Sequence, residues 1–327
     1  MRGLALVARL TLPVVAASVV GCGANITPTT FQYSPSGRAA RVASPASSTP
    51  ALIAFDTLNG SLGYWPIQHG GGETLQPLSG SLGIHNGYAL AANSNVVIVA
   101  NYQPAEIVTY NVRTKAQASM NDPYGDPYDV AVDKKGTIYA MNVASVAVYA
   151  KGSSQPTELT CSYITTSEAI AVNNERNVFV DGYGPQGFQG VIEYAAGSTN
   201  CTEPRLRATR GYIGGVGVDP KTDDLIVVDD PDFCAGGLEG RMIIYPKPYR
   251  QRTSIRRILS ATYCAGTFRL DAASRHIFYS DATVSAGFPL IDQARYPSGK
   301  YEGQYENGYY SGGNFAGFTT IPNALPN

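Results

Sequence analysis

The chain has 327 residues with 24 Lys and Arg against 25 Asp and Glu, a formal net charge of −1, and only 15% charged residues. No global basic field is present to attract nucleic acid, so that class of partner is excluded. With 35 Gly, 21 Pro and 22 Tyr the composition is rich in turns and suits an exported all-β body, and the length beyond residue 50 is enough for one large β domain.

Met1 to Val20 carries Arg2 and Arg9, followed by an apolar run from Leu10 to Val20. That run is too short and wrongly flanked for a stable transmembrane helix and reads as an export signal. It ends Val19-Val20-Gly21-Cys22, which resembles the lipobox of bacterial lipoproteins. The resemblance implies that residues 1–22 form a lipoprotein signal and that Cys22 becomes the lipidated first residue of the mature chain. The other reading is an ordinary cleaved signal followed by a chance cysteine; either way the chain leaves the cytoplasm. From Gly23 to Pro50 the sequence turns to Ala, Ser, Pro and Thr with few large apolar side chains. Such a segment cannot build a core and reads as a tether, with a contour of roughly 90 Å at about 3.3 Å per residue. The expected location is the bacterial cell envelope, with the body held to a membrane through the lipid.

From Ala51 onward the chain repeats itself. The clearest unit, Tyr128 to Thr160, has one strand through Val130 and Val132, a second through Ile138 and Ala140, a third from Ser145 to Tyr149, and a fourth after Pro156. Asp133-Lys134-Lys135-Gly136 separates the first two, an Asp that bonds the backbone ahead of it and a Gly free to take positive φ. First-strand runs recur as Tyr88 to Asn93, Asp129 to Asp133, Ala169 to Asn173, Val216 to Asp219 and Phe268 to Asp271, each ending in Asp or Asn, at spacings of roughly 40 to 52 residues. Second-strand runs end at Asp56, Asn101, Asn142, Asp181, Asp229 and Asp281; in the fourth the acid comes one residue early, with Gly182 in the matching place. Third-strand runs end in an aromatic at Trp65, Tyr110, Tyr149, Tyr194, Tyr245 and Tyr296.

The first unit lacks a first strand, and the C-terminus offers a spare one in Asn314 to Pro322. Pairing the tail beside Ala51 to Asp56 would close six four-stranded modules into a ring with no open edge. The expected fold is therefore an all-β, six-bladed β-propeller over residues 51–322, with 323–327 as a short tail.

The repeated Val-Ala-Val-Asp, Ile-Tyr-Ala-Met-Asn and Val-Ala-Val-Tyr runs resemble those of NHL-repeat and related six-bladed propellers, a broad group that includes the gluconolactonase/regucalcin family. The motif is structural and shared by proteins of many functions, so it implies a fold and no activity. Metal-dependent lactonases of that group carry an early Glu-Gly-Pro-type motif, which this chain lacks. A catalytic His and Glu in late blades, as in related lyases, finds no convincing match, and His276 at the start of a second strand reads as a packed or edge residue. His69 and His85 fall in loops, and three His without a cluster speak against zinc.

The Asp or Asn ending each first strand reads most simply as an Asx-turn residue. The acids ending the second strands either cap loops or line a central mouth, where Asp56, Asp229 and Asp281 would hold a Ca²⁺-like cation through oxygen ligands. The loop Asp229 to Gly240 is unusually long and carries Asp230, Asp232, Phe233 and Cys234. Tyr263 and Cys264 lie in the following connection between blades. Four Cys follow the lipobox, which allows three pairings in an oxidising compartment. The preferred set is Cys234 with Cys264 and Cys161 with Cys201. Tyr102, Tyr124, Tyr183, Phe188, Phe233, Tyr263 and Tyr310 are expected on the same face as the long loop, where aromatics beside carboxylates suit a glycan or an exposed peptide. Tyr filling loops in a Tyr-rich chain is the structural alternative. Arg250, Arg252, Arg256 and Arg257 read as charges that discourage edge pairing.

Two functions remain open. One is a noncatalytic envelope lipoprotein that binds a protein, peptide or glycan and needs no cofactor. The other is a metal-assisted, lactonase-type hydrolase or lyase, with Ca²⁺ held at the mouth.

Overall fold

The computed structural model describes residues 50–56, 59–67, 75–84, 86–204, 206, 212–230, 240–249, 258–262, 265–281, 290–305 and 315–321, with some strand ends described through their backbone alone. The signal, the tether, the Arg cluster and the long loop beyond Asp230 lie outside this set.

Six antiparallel four-stranded sheets make up the fold. Blade 1 contains β1 (Ala51–Asp56), β2 (Ser61–Pro66) and β3 (Gln76–Ser81). Blade 2 contains β4 (Gly87–Asn93), β5 (Val96–Asn101), β6 (Glu106–Asn111) and β7 (Gln117–Asn121). Blade 3 contains β8 (Asp129–Val132), β9 (Ile138–Met141), β10 (Ser145–Tyr149) and β11 (Thr157–Thr160). Blade 4 contains β12 (Thr166–Val172), β13 (Val178–Gly184), β14 (Phe188–Tyr194) and β15 (Cys201–Thr202). Blade 5 contains β16 (Tyr212–Val218), β17 (Leu225–Asp230), β18 (Gly240–Tyr245) and β19 (Ile258–Thr262). Blade 6 contains β20 (Ala265–Leu270), β21 (His276–Asp281), β22 (Leu290–Arg295) and β23 (Lys300–Tyr305). The last strand, β24 (Phe315–Ile321), returns to blade 1 and pairs antiparallel with β1, from Ala51 opposite Ile321 to Asp56 opposite Phe315. The first strands of all six blades are neighbours in sequence around one axis, β24 to β4, β8, β12, β16, β20 and back to β24. The expected ring is therefore the observed one, a six-bladed β-propeller closed by the C-terminal strand.

Blades spread apart as they leave the axis, and side-chain size follows that wedge. Near the axis, Ala91, Ala131 and Ala171 share clusters with Val130, Ile170 and Val216 of the next blade. Gly217 takes the same place in blade 5, and a Cβ there would come 2.5 Å from the Phe268 ring. Farther out, the aromatics that end the third strands fill the wider gaps: Trp65, Tyr110, Tyr149, Tyr194, Tyr245 and Tyr296 are all buried. Burying an aromatic side chain contributes about 1.5–3 kcal/mol, so these positions account for much of the cohesion between blades. Where the ends of the ring meet, Trp65 and Phe318 of blade 1 pack with Phe278 and Tyr305 of blade 6, the Trp65 and Tyr305 rings 5.6 Å apart.

The Asx-turn reading of the first hairpins holds in blades 3 to 6, whereas Asn93 of blade 2 turns its side-chain amide to the next hairpin. Asp133 Oδ1 accepts from Lys135 N and Thr137 N, Asn173 Oδ1 from Glu175 N and Asn177 N, and Asp271 Oδ1 from Arg275 N and His276 N. These turns also join one another. Asn93 Nδ2 donates to Asp133 O, Arg176 pairs with Asp133 at 2.7 Å, Asn174 N donates to Asp223, and Ser274 donates to Asp219. The hairpin face is thus linked by side chains from blade 2 through blade 6.

Of the two expected disulfides, Cys161 and Cys201 are bonded, with Cα atoms 5.8 Å apart. The bond ties the connection after blade 3 to the outermost strand of blade 4, which is only two residues long. Cys234 and Cys264 lie outside the described residues.

If β24 closes the ring as described, Phe318→Ala should cost about 3–5 kcal/mol in urea denaturation, the usual range for emptying a buried aromatic site. Tyr301→Ala, on the exposed outermost strand of the same seam, should change stability by less than about 0.5 kcal/mol. Equal effects at the two positions would contradict closure through β24.

Candidate functional site

Two faces of the ring differ in kind. One carries the tight hairpins just described. The other carries the starts of the first strands, the loops between second and third strands, and the connections between blades. Backbone hydrogen bonds join these elements across that face: Tyr102 N donates to Asn86 O, Ser167 N to Val143 O, and Thr165 N to Tyr183 O. The loops there are irregular, and this is where binding residues on rigid scaffolds usually sit.

The starts of the first strands are bent by bulges. In β4, β12, β16, β20 and β24 the register against the neighbouring second strand shifts near the strand's beginning. In β4, Gly87 faces Asn101 and Ala89 faces Ala100, which leaves Tyr88 without a cross-strand partner. A bulge turns such a residue out of the sheet. Tyr88 is accordingly 51% exposed and stands against Tyr128 and Tyr102, with ring centroids 5.5 and 6.0 Å away. Tyr102 and Tyr128 are 5.1 Å apart. A hydrogen bond to Tyr102, then partial burial, pushes the Tyr128 hydroxyl up to about 12. The three rings pack against one another, Tyr88 edge-on to Tyr128 and the other two pairs tilted, and leave aromatic surface in water.

A second aromatic pair lies on the same face in blade 4, where Tyr163 and Phe188 have centroids 5.8 Å apart and Tyr163 is exposed. The loop bearing Tyr163 crosses β13 so closely that a Cβ on Gly184 would sit 1.7 Å from Tyr163 O, so only glycine fits there. Tyr124, four residues before Tyr128, is anchored through its hydroxyl to Pro156 O at 3.3 Å, while Asp122 caps its backbone amide. Burial raises the Asp122 carboxyl above its ordinary range. Of the expected face residues, Tyr102, Tyr124 and Phe188 fall in this surface, and Tyr183 lies half-buried at the end of β13. Asp232, Phe233, Tyr263 and Tyr310 lie outside the described residues, as do the side chains of Asp230 and Asp281. Tyr88, Tyr128 and Tyr163 were not anticipated.

Asp56 and Asp229, which end second-strand runs, are engaged inside their own blades. Asp229 receives Arg241, its cross-strand neighbour on β18, at 2.6 Å. Asp56 accepts from the Asn59 backbone and side chain, and Asn101 donates to Glu106 opposite it on β6. Among the described residues, no three His, Cys, Asp or Glu side chains gather in a metal-holding arrangement. His276 is packed, as expected, between Asp271 at 3.0 Å and Glu302 at 3.4 Å.

No family model matches the chain, and no curated protein matches its sequence. Its fold does have solved neighbours. A chain of a nidogen/laminin complex aligns with a TM-score of 0.64 at 14% identity, covering 83% of this chain and 98% of that one. TolB from Acinetobacter baumannii aligns with a TM-score of 0.60 at 10% identity, covering 84% and 67%. Hydrazine synthase of Kuenenia stuttgartiensis aligns with a TM-score of 0.51 at 11% identity, covering 65% and 64%. At these identities the likeness is one of fold.

Asp181 departs from its counterparts. Its place one residue early puts it opposite Ala169, on the other side of the β12 bulge, with Gly182 opposite Ser167. The side chain is fully buried, Oδ1 accepts from Ala169 N at 2.5 Å, and Oδ2 has no hydrogen-bond partner among the described residues. Burial first, with Glu168 and Asp129 adding repulsion, raises its carboxyl well above the ordinary range. The folded chain therefore holds a proton here that the unfolded chain releases above about pH 4. Stability from this group is complete below that pH and falls as pH rises toward the raised value, by up to about 1.4 kcal/mol per unit. Asp181→Asn should remove that slope. In denaturation curves from pH 3.5 to 8 the variant should gain on the wild type steadily above about pH 4, and parallel curves would refute the assignment.

Proposed function

We propose that this chain is a noncatalytic binding lipoprotein of the bacterial cell envelope, whose exported propeller offers its aromatic face to a protein or glycan partner. The observation that carries this reading is the Tyr88, Tyr102 and Tyr128 cluster, three rings braced against one another yet open to water. Tyrosines held in this way present apolar area and hydroxyls with little conformational freedom left to lose on binding, which is what a peptide or sugar surface requires. The Tyr163 and Phe188 pair extends the same chemistry across blade 4. The acids that a lactonase-type mouth would need as ligands are instead occupied within their own blades at Asp56 and Asp229. One solved neighbour is a chain of a nidogen/laminin complex, so a ring of this kind is compatible with a protein partner. On its repeated runs the reading keeps the chain with the NHL-like propellers, and it requires no cofactor.

Export and anchoring rest on the sequence from Met1 to Cys22. A lipid on Cys22 followed by the Ala, Ser, Pro and Thr tether would hold the ring near a membrane while leaving it free to turn toward a partner.

Photo-crosslinkers replacing Tyr88 and Tyr163 in living cells should yield a shared adduct, while one replacing exposed Lys151, on the opposite face, should not. Adducts of equal strength from position 151, or none from the tyrosine positions, would count against the aromatic face. Metabolic labelling with a tagged fatty acid should mark the wild type and leave Cys22→Ser unmarked. Label retained on that variant would dismiss the anchor.

A further inference from the structure

A cavity opens on the hairpin face, at the axis, away from the tyrosine cluster. Its volume is about 370 Å³, at the small end of the range for ligand pockets. The last or next-to-last residue of each first strand lines it: Ala92, Val132, Val172, Val218, Leu270 and Thr320. All six are only partly buried, whereas Leu90, Val130, Ile170, Val216, Phe268 and Phe318, two residues earlier on the same strands, are sealed between blades. The ring geometry thus turns one equivalent position from every blade toward a common space, and five of the six side chains are aliphatic, while Asn93, Ser94, Asp133 and Lys134 of the adjoining hairpins line the space as well.

Arg269 also lines this space. It stands on β20 where blades 2 to 5 carry Ala91, Ala131, Ala171 and Gly217, and its length carries the guanidinium across the axis. Nη2 reaches Asp129 at 2.9 Å on the opposite blade and Leu90 O at 3.2 Å, and Nη1 reaches Phe268 O at 3.0 Å. Arg269 lines the cavity, whereas Asp129 and Leu90, which it holds, do not. These bonds use three of the five guanidinium hydrogens. The Nε–H and one Nη1–H have no acceptor among the described residues, and the side chain keeps 17% of its exposure. Its charge is offset by Asp129, whose other oxygen accepts from Ile170 N.

Six strand-end side chains, five of them aliphatic, beside unused N–H donors on a guanidinium already compensated by a carboxylate favour a particular chemistry in the part of the cavity next to Arg269. An apolar chain gains by leaving water, and an oxygen acceptor at its end satisfies the donors. A full negative charge would pay desolvation against an ion pair that is already neutral. A 150 Å³ apolar cavity is enough for benzene, so this one has room for a chain of about eight carbons. We propose that the axial cavity on the hairpin face is a binding site for an uncharged aliphatic molecule ending in a carbonyl, of the primary amide or ester class, with the carbonyl oxygen on Arg269. This site is independent of the tyrosine face, and either can fail without the other.

The test uses the chain from residue 23 onward, which contains the whole ring, produced without lipid or detergent. Octanamide should bind saturably by calorimetry or ligand-observed NMR, and at least tenfold more tightly than octanoate or octylammonium. Val218→Phe and, independently, Val132→Phe should fill the cavity and weaken octanamide at least tenfold with the melting temperature nearly unchanged. Tyr88→Ala should leave octanamide binding intact. Absence of saturable octanamide binding to the folded wild type would overturn the site. Binding that survives both Phe variants in folded protein would overturn its location, and octanoate or octylammonium binding as tightly as the amide would overturn the ligand class.

Discussion

Everything in this molecule depends on closing a ring whose parts are wedges. Six sheets meeting at an axis leave almost no room between neighbours at the centre and a wide gap at the rim, so the same sheet must be small near its first strand and bulky at its third. Ala91, Ala131, Ala171 and Gly217 meet the first demand, and the buried aromatics from Trp65 to Tyr296 meet the second. Neither set suffices alone: with only small residues the outer gaps would stay empty, and with large ones inside the first strands could not approach. Because β24 and β1 complete one sheet from opposite ends of the described chain, the wedge at the blade 6 seam must be filled as tightly as the rest. The Trp65, Phe278, Tyr305 and Phe318 group does this.

Closure creates a second problem at the axis. A first strand has a sheet neighbour on only one side, so its axis-facing N–H and C=O groups lack ladder partners, and orphaned backbone groups are costly. Part of the solution here is side chains reaching across. Arg269 covers Leu90 O and Phe268 O, Asp129 covers Ile170 N, and Thr320 donates to Leu270 O at 2.7 Å. The Arg269 to Asp129 contact also joins blades 6 and 3, which are diametrically opposed, so the residue that satisfies the backbone braces the ring along a diameter.

Much of this was written in the sequence because the relevant signals are local and repeated. Asp133-Lys-Lys-Gly136 and its counterparts mark hairpins whose Asx caps are present, the aromatic at the end of each third run marks the outer wedge, and the missing first strand of blade 1 pointed to the tail. The site was less legible. Tyr88 and Tyr128 sit inside or beside runs that read as strand, and only the bulge that releases Tyr88 from its ladder shows that it faces water. The early acid at Asp181 was visible as an offset, but that it would be buried follows from the same bulge in β12. Arg269 could have been found: aligning the first runs puts a long cation where the others place Ala or Gly, and such an exception at an axial position has to go somewhere.

The two faces also divide labour for a physical reason. A two-stranded hairpin with an Asx cap has its polar groups spoken for, and Asn93, Arg176, Asn174 and Ser274 spend what remains on the neighbouring hairpin. That face is consequently held by its own hydrogen bonds, and the axial cavity opens where the strands end. On the other face the bulges prevent regular pairing, so side chains there are not needed to satisfy the ladder and can be spent on outward aromatic surface. A binding surface in this fold therefore arises where strand pairing begins late, and tyrosine at those positions converts a local defect of the sheet into exposed, rigid contact area.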